Sequence, residues 1–326
     1  MKIQRRRFLR LTAAGAVAFP TVSRIARAQT YPSRPVRIIV AGAAGNTTDI
    51  FARLKGKWLS ERLGQPFIIE NRPGAGSNIG TETVVRAPPD GYTLLWVGAP
   101  QVISPTLYDK LNFNFLSDIV PVASVLRVAN VMEVNPTFPA KTVPEFIAYA
   151  RANPGKVNFA SPGTGTSIHV AGELFKMLTH LNMVHVPYRG TAAALTDLMS
   201  GQVHVMFDNM PSSIEYIRGG QLRALAVTTT TQWEGLPDIP TVGDFVPDFE
   251  ASSIAGLGAP KNTPAEIIAK LNGEVNAGLA DPKLKIRITE LGCTVLSLSP
   301  ADYGKLLAGE VEKWGKVIKF AGVKLD

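Results

Sequence analysis

The stretch ASPGTGTSIH, residues 160–169, sets four hydroxyls (Ser161, Thr164, Thr166 and Ser167) around two glycines, where an apolar strand-like run gives way to an amphipathic one. Glycines let successive backbone N–H groups face one way, and hydroxyls at a helix start add further donors. The chemistry on offer is reversible capture of a small anion. The same residues also cap helices for purely local reasons. Recurrence favours the anion reading, because GAAGNTTD (42–49) and RPGAGSN (72–78) have related composition at equivalent places. The three loops give Gly45, Asn46, Thr47, Thr48, Ser77, Ser161, Thr164, Gly165, Thr166 and Ser167 as candidate ligand-binding residues. Asp208 closes the run VHVMFD. It either caps the next helix or faces the ligand, where it would repel a carboxylate and welcome an amine or hydroxyl.

Other chemistries fit less well. Ser161, His169 and Asp208 are the residue types of a hydrolytic triad, but Ser161 lacks the G-x-S-x-G elbow and His169 falls in the first turn of a helix. No lysine follows the glycines as in a P-loop, and G-A-A-G is not a dinucleotide spacing. His169, His180, His185 and His204 form no i, i+4 pair and have no cysteine partner, so no metal site is expected. A catalytic centre and a bound cofactor are likewise not expected.

The elements that must position these loops alternate along the chain. VRIIV (36–40), FIIEN (67–71) and TLLWV (93–97) precede loops and amphipathic runs, and KVNFA, MVHVPY (183–188), VHVMFD (203–208) and LRALAVT (222–228) repeat the scheme. Such alternation implies an α/β fold with mostly parallel sheets flanked by helices. PVASVL and NVMEV lie across 121–134, a Pro-rich crossing (WEGLPDIPTVGDFVPDFE) reads as a structured surface loop, and 264–290 and 300–320 read as two long helical stretches. Crossings near 127 and 250 give lobe one as 29–127 plus 250–326 and lobe two as 128–249, with a ligand cleft between them. In open α/β sheets ligands lie beyond the carboxyl ends of the strands, which is where the three loops fall.

Residues 1–28 stand apart. Arg-Arg-x-Phe-Leu-Arg (Arg5–Arg10), a short apolar run and Ala-Arg-Ala (26–28) form a twin-arginine-type export signal, with cleavage expected between Ala28 and Gln29. Seven of the 34 basic residues and none of the 26 acidic ones lie in this segment, leaving 27 against 26. The net charge of +8 therefore belongs to the precursor and is no argument for nucleic acid or membrane binding. Nothing after the signal is long and apolar enough to span a bilayer. The single cysteine, Cys293, excludes an internal disulfide and lies too far from the cleavage point for lipid anchoring there. The expected product is a soluble periplasmic monomer.

With these motifs in place, the chain resembles the Bug family, the extracytoplasmic receptors of tripartite tricarboxylate transporters. YPSRPVRIIV, ENRPGAGSNIG, APPDGYTLL, SPGTGTSIHVAGELFK, VHVPYRGTAAALTDLMSGQV, MFD, LRALAVT and LPDIPTV follow in the family's order over essentially the whole mature chain. The resemblance implies a two-lobed periplasmic binding protein of type II-like architecture. It would close on a small carboxylate without catalysis and hand it to integral membrane transporter subunits. It also implies that residues 43–48 and 161–167 meet the ligand carboxylate, partly through ordered water, with His169 in support. The first loop departs from the family's Pro-aromatic and Gly-Gly, having Ala41, Gly42, Gly45 and Asn46. That departure implies a wider pocket and a bulkier or more polar ligand. Two other roles fit the same elements: a sensor presenting its closed form to a signalling partner, and a periplasmic hydrolase using Ser161 or His169.

Overall fold

The computed structural model describes residues 31–45 and 47–325. The signal segment, its cleavage point and Asn46 lie outside the described residues. The chain opens with β1 (Val36–Val40), α1 (Thr47–Leu63), β2 (Phe67–Asn71), α2 (Asn78–Val85), β3 (Thr93–Val97), α3 (Ala99–Leu107) and the short α4 (Phe115–Asp118). β1 pairs in parallel with β2 on one side and β3 on the other. All five residues of β3 are buried. Strands covered by helices on both faces have no polar side, which is why VRIIV and TLLWV are nearly uninterrupted apolar runs.

β4 (Ile119–Val134) is one strand of 16 residues where the sequence suggested two shorter ones. Its pairing shifts between Pro121 and Ala123 and again between Ser124 and Leu126, and the missing N–H of Pro121 accounts for the first irregularity. Beyond β4 come α5 (Val143–Ala152), β5 (Val157–Ser161), α6 (Ser167–Thr179), β6 (Met183–Pro187), α7 (Thr191–Met199), β7 (Val205–Asn209), α8 (Met210–Arg218) and β8 (Arg223–Val227). β5 pairs in parallel with β6 and β7, the same scheme that surrounds β1.

The chain returns along β9 (Ser252–Pro260) and ends with α9 (Ala265–Ala280), α10 (Pro282–Glu290), β10 (Cys293–Val295) and α11 (Pro300–Ala321). The stretch 264–290 is thus two helices. Pro282 has no N–H to continue the first, and the Asp281 side chain accepts from Leu284 N to cap the second. The Pro-rich crossing is held by the buried side chains of Trp233, Val242, Val246 and Phe249, more deeply than a surface loop would be.

The ten strands have the order β2-β1-β3-β9-β4-β7-β5-β6, with β8 and β10 also on β4. The parallel strands are the outer ones, whereas β4 and β9 run against their neighbours because they carry the chain from one half of the sheet to the other. β4 changes partners between Ala129, opposite Ser252, and Asn130, opposite Asn209. Beside this point Thr228 N donates to Asn130 O and Ala251 N to Thr228 O, so the two crossings are stitched together. Arg127, Glu250 and Lys313 form an ion-pair cluster at the same place. One hydrophobic core takes in Leu95 and Leu107 from one half, Phe159 and Phe175 from the other, and Trp314 of α11.

Candidate functional site

A cleft of about 370 Å³ lies between the two halves. Its wall brings together the starts of five helices: Thr47 and Thr48 of α1, Gly98 to Pro100 at α3, Thr166 and Ser167 at α6, Gly190 and Thr191 at α7, and Asn209 and Ser212 at α8. The topology explains the convergence. In each half a central strand, β1 or β5, is flanked by parallel partners, and the helices that follow all begin at the same edge. Each helix start carries partial positive charge and N–H groups with no partner inside the helix. Among the described residues, no side chain bordering the cleft carries a formal charge. Phe51, Trp96, Leu126, Val128 and Ile254 complete the wall with apolar surface.

Four of the expected ligand residues, Thr47, Thr48, Thr166 and Ser167, border this cleft. Thr166 is the N-cap of α6: its hydroxyl donates to Gly163 O (2.7 Å) and accepts from His169 N (3.3 Å). That leaves the N–H groups of Ser167 and Ile168 unclaimed among the described residues.

The other expected residues that are described lie off this cleft, for reasons that differ from one to the next. Gly45 N donates to Asp49 Oδ2 (2.9 Å), and that oxygen also accepts from Arg53 Nε (2.9 Å), so the first loop's N–H is spent inside the loop. Burial works against the Asp49 carboxylate, but these two bonds hold its pKa below the ordinary range. Gly165 N is claimed in the same way, by His169 Nδ1 (3.2 Å). Gly165 itself has φ +79°, and a Cβ there would run into Leu107. Thr164 is half-buried beside it and does not border the cleft.

Ser77 stands one strand too far out: β2 is the edge strand, and its loop packs toward α3, with Ser104 Oγ donating to Gly76 O (3.5 Å). Gly42 is also off the cleft, its carbonyl accepting from Asn71 Nδ2 (3.1 Å), so the aromatic surface of the wall comes from Phe51 and Trp96.

Ser161 is fully buried, with Oγ 2.7 Å from His185 Nε2. The rings of His185 and His169 stack at 4.0 Å. Burial pushes the His169 pKa down to about 3 and that of His185 to about 4, so both rings are neutral near pH 7. Neither histidine borders the cleft, and Ser161 has no contact with His169 or Asp208 of the kind a triad needs.

Asp208 is fully buried as well. Ser213 Oγ lies 2.9 Å from its Oδ2 and 2.7 Å from Glu133 Oε1, and Asn209 N donates to its Oδ1 (2.8 Å). It is neither a cap for α8 nor a cleft residue; it is half of a carboxyl pair behind the wall.

The residues that the sequence reading passed over are those at the starts of α3, α7 and α8. VGAPQ (97–101), RGT (189–191) and NMPSS (209–213) each follow a strand with Gly, Pro or Ser. That punctuation marks a helix start, but none of the three segments has the pair of glycines that the loops first noticed share.

A family model described as "Tripartite tricarboxylate transporter family receptor" matches residues 51–323. Protein BugT of Bordetella pertussis is 35% identical over 301 residues, 91% of this chain and 92% of its own. Among solved structures, R. palustris Rpa4515 with adipate is 35% identical with a TM-score of 0.82, covering 90% of this chain and 99% of that one. MatC (Rpa3494) from Rhodopseudomonas palustris with bound malate is 31% identical with a TM-score of 0.78, covering 88% and 100%.

Proposed function

Because the chain belongs to the tripartite tricarboxylate transporter receptor family, we propose that it captures a small organic acid in the cleft between its two halves. We further propose that it does so in the periplasm after export and delivers the acid, as a monomer, to integral membrane transporter subunits. The observation that carries the reading is the convergence of five helix starts on a cleft bordered, among the described residues, by no charged side chain. Fixed dipoles and neutral donors satisfy a carboxylate without the desolvation of a second ion, which suits a protein that must release what it binds. Adipate in one related structure and malate in another support the ligand class. No described helix is long and apolar enough to cross a membrane.

In this proposal Thr47, Thr48, Thr166 and Ser167 contact the carboxylate, and lobes 29–127 plus 250–326 and 128–249 close over it. α11 ties both halves into one core, so closure bends β4 and the neighbouring crossing at residues 228–251 rather than parting the whole interface. A thermal-shift screen of the chain from Gln29 against mono-, di- and tricarboxylates, aromatic acids and acidic amino acids tests the reading. An acid at about a hundred times its Kd adds roughly 2.7 kcal/mol to the folded state, a rise of several degrees. A flat response to every acid, from protein that native mass spectrometry shows to be ligand-free, would refute it.

A further inference from the structure

Trp96 borders the cleft and is 1% exposed, yet its indole N–H has no acceptor among the described residues. Two of the other tryptophans are satisfied: Trp58 Nε1 donates to Glu274 O (3.1 Å) and Trp314 Nε1 to Glu310 Oε2 (2.7 Å). Trp233 also lacks an acceptor but faces a separate groove beside Lys285. A buried donor left unmade is costly, and sites that recognise a polar group carry such unpaired atoms until the ligand arrives.

The supply of donors points the same way. A carboxylate offers about four lone-pair sites. The hydroxyls of Thr47, Thr48 and Ser167, with the N–H groups at the starts of α1 and α6, already meet that number, while the Thr166 hydroxyl gives its proton to Gly163 O. The Trp96 N–H is left over.

Resting on the receptor reading above, we propose that Trp96 is a specificity residue: its indole N–H donates to a second carboxylate of the bound acid. The cleft then selects acids with two polar ends across an apolar middle.

The test compares two diacid–monoacid pairs, adipate with hexanoate and succinate with butyrate, by direct titration of the wild type and Trp96→Phe. Wild type should prefer a diacid. Trp96→Phe should weaken that diacid by about tenfold or more, the value of a hydrogen bond to a charged group, and leave the matching monoacid within about threefold. Its melting temperature without ligand should not fall through loss of the N–H, which has no acceptor among the described residues. Equal weakening of both acids would put Trp96 at the first carboxylate and overturn the second pole, as would no change in either. If wild type binds the monoacids but neither diacid, this inference fails and the receptor reading stands. If it binds no acid at all, both fail.

Should Trp96→Phe not fold, the indole N–H signals of the wild type give the same answer. Diacid should move the Trp96 resonance and leave those of Trp58 and Trp314 in place. An unmoved Trp96 signal overturns the proposal.

Discussion

A Ser167→Asp variant should fold as well as the parent and lose its acid by about a hundredfold. Ser167 is the first residue of α6, half-buried, and borders the cleft. A carboxylate in the first turn of a helix is favourable by about 0.3–1 kcal/mol, so the substitution should leave melting unchanged or slightly raised. The same charge, however, occupies the field meant for the ligand. Two carboxylates about 5 Å apart at an effective dielectric near 20 repel by roughly 3 kcal/mol, which is a factor of about a hundred in affinity. Ser167→Asn has the same shape without the charge and should stay within about tenfold. Isothermal titration with the tightest acid from the screen, at low and high salt, reads both. If Ser167→Asp binds like the wild type, the start of α6 is not where the carboxylate sits.

What the sequence made legible was whatever depends on local composition. Apolar strand runs followed by glycine and hydroxyl residues mark strand–loop–helix units, and they led to the starts of α1 and α6, both of which border the cleft. What stayed hidden depends on pairing in space. RPGAGSN looks like its two counterparts, but β2 is the edge strand, and strand order is not written in any one segment. The donors of Gly45 and Gly165 were visible as glycines, whereas the groups that claim them, Asp49 and His169, sit four residues on and come into reach only when the helix forms. β4 reads in sequence as two runs, PVASVL and NVMEV, because the charged Arg127 interrupts the apolar pattern between them without ending the strand. Trp96 gave no signal at all, since an unpaired indole looks like any buried tryptophan until its surroundings are known.

Asp208 is the residue for which a structural and a ligand-binding role differ most, and Asp208→Asn should separate them. The Ser213 hydroxyl has one proton and lies within hydrogen-bond distance of both Asp208 and Glu133. It donates to one carboxyl and accepts from the other, so one of the two carries a proton. Burial pushes the Asp208 pKa up to about 7, against the bonds from Ser213 and Asn209 N, which pull it down. Burial and the neighbouring Asp208 raise Glu133 as well.

An unfolded Asp loses its proton near pH 4, so between about pH 4 and pH 7 the folded state holds a proton that the unfolded state has released. Stability therefore falls as pH rises through that window. It is full below about pH 4, and above about pH 7 it has lost an amount on the order of 4 kcal/mol, taking about 1.4 kcal/mol per pKa unit.

Asn in place of Asp208 keeps the shape and cannot ionise. Urea unfolding at pH 5, 6, 7 and 8 should show the wild type weakening across the series and Asp208→Asn weakening less, its remaining slope that of the still-buried Glu133, with the variant more stable at pH 8 by a few kcal/mol. Because Asp208 is fully buried and does not border the cleft, acid affinity at pH 7 should stay within a few-fold. A variant that gains no stability at pH 8 but loses its acid would return Asp208 to the ligand, and with it the hydroxyl or amine that a carboxylate there would select.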